Sequence, residues 1–95
     1  MSQERSNRII VTVIGADRVG IIAGVSAVLA EANANIVDIS QTTLREFFTM
    51  ILMADLGDAT IPFDELKRRL GEKGDEMGVK IDAQHEDVFK YMHRV

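Results

Sequence analysis

A chain of 95 residues, 46% of them hydrophobic, is the size of a single domain, because half of it would be too small to bury a core. The formal charge of −4, with its basic residues scattered, argues against a surface that grips a phosphate backbone. The absence of cysteine removes disulfides, thiolate catalysis and Cys-based zinc sites together.

Residues 1–7 are polar and lack the apolar stretch of a signal peptide. No apolar run approaches the roughly 18 residues of a membrane span. The expectation is a disordered lead-in over residues 1–7 followed by a soluble, cytoplasmic protein with no membrane contact and no nucleic-acid partner.

Ile9 to Ile14 reads IIVTVI, β-branched at every position, which favours an extended chain over a helix. Both of its faces are largely apolar, as expected of a strand in the middle of a sheet. Gly15 and Gly20 bracket a turn, after which Ile21, Ile22, Val25, Val28, Leu29 and Ala32 recur at helical spacing. Gly24 and several alanines on the same segment would let a neighbouring element approach closely. Asn33-Ala34-Asn35 supplies the helix stop, since Asn tolerates the left-handed conformation common there.

A second strand is expected over Ile36 to Leu44, and a third over Phe47 to Leu56, where Phe48, Met50, Leu52 and Ala54 form an apolar face. Arg45-Glu46 joins them as a hairpin without the Asn-Gly chemistry that a two-residue turn prefers, which leaves the register open. Pro62 stands where a second helix begins, and Phe63, Leu66, Leu70 and Met77 mark its buried stripe. The pairs Asp64–Arg68 and Glu65–Arg69 have the i,i+4 spacing of helical ion pairs on a solvated face. Gly71 and Gly74 weaken that helix, and Gly78 suits its C-terminal cap. Val79 to His85 alternates as a fourth strand, and residues 86–95 have the spacing of a short final helix.

The order βαββαβ predicts an α+β, ferredoxin-like sandwich: a four-stranded antiparallel sheet in the order 4-1-3-2, with right-handed crossovers placing both helices on one face. Residues 8–85 would form this domain. Its second sheet face is then left uncovered, and an apolar patch there predicts association.

The run Gly15-Ala-Asp-Arg-Val-Gly-Ile-Ile, the helix after it, and Ala34-Asn-Ile-Val-Asp-Ile resemble the signature of ACT domains, small modules that sense amino acids in metabolic regulators. The likeness in pattern extends over residues 8–85 and is strongest to stand-alone ACT proteins and to the ACT halves of the glycine cleavage system repressor. Phe47-Phe48-Thr49-Met50 and the closing Phe89-Lys-Tyr-Met-His-Arg-Val are similar to the same subgroup. Val19 departs from the pattern, which commonly has proline before the second glycine.

The resemblance implies a homodimer formed through the sheet, with an amino acid or similar small carboxylate held between the first helix of one copy and the second strand of the next. It places a carboxylate near the N–H groups of Val19, Gly20, Ile21 and Ile22, at the positive end of a helix dipole. It sets Asp17 to meet an amino group, with Arg18 beside it among the ligand-binding residues, and Asn35 to hydrogen-bond across the interface. A purely structural account stands beside it: Asp17 caps the helix, Arg18 is solvated and Asn35 ends a turn.

The glycine spacing of the turn fits a phosphate loop, but Ile21-Ile22 stands where Lys-Ser/Thr is needed. Phe47 and Phe48 are on the strand that stacks bases in RNA-binding domains of the same topology, without the basic pattern around them. His85 and His93 are too few for a metal site. No catalytic constellation or cofactor motif stands out, and the arginine-bearing loop of acylphosphatases is missing. The expected function is a cofactor-free sensing module rather than an enzyme. The alternative is a ligand-free module that docks a metabolic enzyme or regulator through the open sheet face or the Phe89–Val95 tail.

Overall fold

The computed structural model describes residues 7–16 and 19–88. Its elements are β1 (Arg8–Ala16), α1 (Ile21–Glu31), β2 (Asn35–Leu44), β3 (Phe47–Asp55), α2 (Phe63–Met77) and β4 (Lys80–His85). The sheet runs β2-β3-β1-β4 with every neighbouring pair antiparallel, which is the expected ferredoxin-like order. A helical turn at 86–88 opens the expected final helix, and residues 89–95 lie outside the described residues.

β1 is central because it is hydrogen-bonded on both edges, to β3 and to β4. Only one of its faces is fully covered. Ile9, Val11 and Val13 are wholly buried beneath the helices, whereas Ile14 on the other face is half exposed. The strand is also longer than its β-branched run. It continues through Gly15, which pairs with Phe48. A Cβ at Gly15 would lie 2.7 Å from Cγ1 of Val79, so this glycine serves a close contact with the segment entering β4 rather than the turn.

The core is made by Ile9, Val11 and Val13 of β1, Met50 and Leu52 of β3, Val25 and Leu29 of α1, and Leu66 and Leu70 of α2. No polar or charged residue among those described is buried. Ile22, read from its spacing as part of the buried stripe, is 39% exposed.

α1 ends in a paired capping motif. Asn33 has φ 58°, its N–H donates to Ala30 O at 3.0 Å, and the Ala34 N–H donates to Leu29 O at 2.9 Å. Gly78 closes α2 in the same way, with φ 76° and the Val79 N–H donating to Gly74 O at 2.9 Å. At Gly24 a Cβ would meet Met77 Sδ at 2.6 Å, so the bare backbone of α1 admits α2 there.

The hairpin closes with Leu44 opposite Phe47, and Arg45 accepts φ 58° in place of the missing Asn-Gly. The β2–β3 register shifts between Ile36 and Asp38, an irregularity that the alternation did not show. Every residue of β2 is exposed.

On α2, Arg69 pairs with Glu65 as its spacing indicates, with Nε 2.9 Å from Oε2. Arg68 does not take Asp64: it pairs with Glu65 and Glu72, one turn to either side. Hydrogen bonds from the Arg68 and Arg69 guanidiniums hold the Glu65 carboxyl down at about 2. A lowered carboxyl pKa contributes stability above its unfolded-state value, and the contribution disappears as pH falls through the folded value.

Two outcomes follow. Gly15→Ala should destabilise the fold by about 1 to 3 kcal/mol, the range for an overpacked site, and Val79→Ala in the same chain should recover part of the loss in urea titrations. In melts at a series of pH values, the difference between the wild type and Glu65→Gln should be constant above pH 4.5 and shrink towards pH 2. It should be small, since these ion pairs face solvent.

Candidate functional site

The first turn of α1 is the most specific piece of local chemistry. Gly20 is its N-cap, in the left-handed region at φ 93°, and among the described residues no side chain caps the helix. The first helical bond runs from the Gly24 N–H to Gly20 O at 2.8 Å, so the amides of Ile21, Ile22 and Ala23 precede any intrahelical acceptor. No acidic residue lies in the first turn to neutralise the dipole. Ile21 anchors the turn in the core, while Val19 stands fully exposed beside it. Such an arrangement offers backbone donors and a partial positive charge to a carboxylate. Asp17 and Arg18 lie outside the described residues.

Val19, Gly20, Ile21 and Ile22 are therefore brought together, but Asn35 is not with them. α1 has 11 residues, so about 16 Å of helix separates its two ends. Asn35 opens β2 at the C-terminal end of α1. The left-handed stop is taken by Asn33, which leaves Asn35 free of the turn-ending role.

Asn35 lines an open cavity of about 490 Å³, with Ala30, Asn33, Ala34, Asp55, Gly57 and Asp58 around it. Asn33 Nδ2 donates to Asp58 O at 2.9 Å, and the Gly57 N–H donates to Asp55 Oδ1 at 2.8 Å. Two aspartates and the negative end of α1 make this cavity better suited to a cation or an ammonium group than to a carboxylate. Sequence reasoning missed it. The local signal, Asp55-Leu56-Gly57-Asp58, reads as an ordinary loop, and long-range contacts make it a wall, from Asn33 to Asp58 O and from the Thr60 N–H to Ala32 O.

Other candidate chemistry separates in space. Phe48 is 6% exposed and packs into the core, while Phe47 on the opposite face is 54% exposed, so the two rings do not form a shared base-stacking platform. The ring of His85 lies 4.4 Å from that of Phe63. No group of three or more metal-ligating side chains occurs among the described residues. None of the described helices is long and apolar enough to cross a membrane.

A family model described as ACT domain matches residues 7–84. A UPF0237 protein of Methanocaldococcus jannaschii is 54% identical over 89 residues, covering 94% of this chain and 99% of that protein. An ACT domain protein from Streptococcus pneumoniae superimposes with a TM-score of 0.77 at 40% identity, over 90% of this chain and 96% of that one. A protein assigned as a glycine cleavage system transcriptional repressor shares the fold, with a TM-score of 0.70 at 19% identity over 85% of this chain and 46% of its own. The topology, the glycine-capped first helix and these matches agree: the chain belongs to the ACT domain family.

Proposed function

We propose that the chain is a stand-alone, cofactor-free regulatory module of the cytoplasm that pairs with a second copy and senses an amino acid or similar small carboxylate. The observation that supports this reading is the N-terminus of α1, with glycine as its N-cap and no acidic residue in its first turn, framed by Val19, Gly20, Ile21 and Ile22.

The separation of Asn35 from that turn within one copy fits the reading. β2 is exposed along its whole length and lies at the sheet edge, so it can pair with the β2 of a second copy. Antiparallel pairing about a two-fold axis reverses the strand, which carries the Asn35 end of one copy to the level of the Gly20 end of the other. The ligand carboxylate then takes the amides of Val19 to Ile22, Asp17 takes the amino group, and Asn35 of the second copy closes the site.

A second reading is favoured by the apolar exposure of Ile14, Phe47 and Ile51 on the open sheet face. In it the module binds no ligand and docks a metabolic enzyme or regulator.

The two are separated by a thermal-shift screen of the proteinogenic amino acids and small carboxylates. Sensing predicts a midpoint that climbs with the concentration of one or a few of them, since a ligand at about 100 times its Kd adds about 2.7 kcal/mol. Asp17→Ala and Asn35→Ala should each abolish the shift and leave the unliganded midpoint within a few degrees. A screen flat for every compound would sink the sensing reading and leave the docking one.

A further inference from the structure

The sheet face turned away from both helices is not evenly exposed. On β1, Ile14 is 52% exposed there, whereas Ile10, four residues earlier on the same face, is 7% exposed. On β3, Ile51 is 47% exposed, while Met53, the cross-strand partner of Ile10, is half-buried. Met53 and Gln84 flank Ile10 within the sheet. Flanking residues shield the sides of an isoleucine that stands out of a pleat, and closing its top takes atoms lying over the sheet. α1 and α2 lie on the opposite side, against Ile9, Val11 and Val13.

The chain itself is directed to this end of the face. β4 finishes with His85 opposite Ile9, and the helical turn at 86–88 follows at once. Arg8 precedes the inward-facing Ile9 and so points to the far face. Its Nε donates to Glu86 Oε1 at 3.2 Å, and its second guanidinium nitrogen, Nη2, lies 3.1 Å from Oε2. The Glu86 side chain is only 12% exposed, so this two-point contact turns the chain inward from the edge strand over β1.

The residues that come next fit that place in pattern, length and charge. Residues 89–95 lie outside the described residues. At 100° per residue, Phe89, Tyr91, Met92 and Val95 fall within one arc of about 160°, and Lys90, His93 and Arg94 fall in the other. From Glu86 to Val95 a helix is about 15 Å long. The four strands, about 4.8 Å apart, measure about 14 Å from β4 to β2. Asp38 on β2, opposite Met53, stands at the far end of that crossing, and the formal charges of the tail, Lys90 and Arg94, are both positive. A hollow of about 120 Å³ among Ile10, Ile51, Met53 and Asp38 offers a seat for an apolar side chain beside the path.

We infer that residues 89–95 continue the helix begun at Glu86 and lie across the Ile10–Met53 end of this face in their own copy, held by the Arg8–Glu86 pair. Val88 heads the apolar arc at the rim, where the crossing starts, and keeps 39% exposure. The sheet then has a short third layer over one end and bare apolar surface at the other, around Ile14, Phe47 and Ile51. A partner that seats on the Ile10 end must first lift the tail, so the tail acts as a built-in competitor for docking. The inference does not rest on ligand sensing, which uses the first turn of α1 and the β2 edge.

Nuclear Overhauser spectra of the full chain test it, with Tyr91, the one tyrosine in a chain without tryptophan, as a second reporter. Ring protons of Phe89 or Tyr91 should contact the methyls of Ile10 or Met53, and a mixture of labelled and unlabelled copies should show these contacts within a copy only. Acrylamide should quench Tyr91 fluorescence less than that of free N-acetyltyrosinamide. Met92→Lys should lose both the contacts and the protection while the amide spectrum of the sheet and helices stays in place. A wild-type Tyr91 quenched as freely as the small amide, tail contacts confined to Ile14, Phe47 or Ile51, or contacts seen only between copies would each overturn the inference. The wild-type spectra carry the test by themselves should Met92→Lys fail to fold.

Discussion

The hydrogen bonding of β1 on both edges, with burial on one face, is the constraint from which the architecture follows. Ile9, Val11 and Val13 meet Ala54, Leu52 and Met50 on one side and His85, Ala83 and Ile81 on the other. Right-handed crossovers then send α1 and α2 to the same side of the sheet. Among the described residues both long helices are then spent on one side of the sheet, and Ile14, Phe47 and Ile51 on the opposite side stay exposed. The exposed face and the exposed β2 edge are consequences of topology and size before they are features of function.

Those two surfaces differ in chemistry. Next to α1 the chain presents backbone donors with no acidic residue in the first turn, a place for a small anionic group. The far face exposes the apolar side chains of Ile14, Phe47 and Ile51, with Arg8 and Asp55 facing each other at one end of the central strands. The cavity at the opposite end of α1 is acidic, so the two ends of one helix favour opposite charges. A zwitterionic molecule matches this polarity when two copies bring unlike ends together.

Much of the fold was legible because strand and helix periods are local. The β-branched run before Gly15, the three-and-four spacing after Gly20 and the alternation from Val79 each depend on neighbours in sequence. What escaped depends on distant neighbours. Gly15 looks like a turn residue until Val79 is placed against it, and Arg68 looks like a partner for Asp64 until its side chain is given three carboxylates to choose from. Ile22 fits the apolar spacing yet lies outside the buried stripe. The turn amides were readable from glycine and helix onset. The Asn35 cavity was not, because its wall closes only when the loop after β3 folds back on Asn33.

The register shift between Ile36 and Asp38 bears on how safely the chain carries an open edge. A regular, fully exposed strand is a template onto which other chains add without limit. The extra residue at Val37 breaks the ladder and twists the strand locally. An incoming strand therefore finds a continuous run only from Asp38 to Leu44, short enough to suit one partner and poor ground for fibre growth.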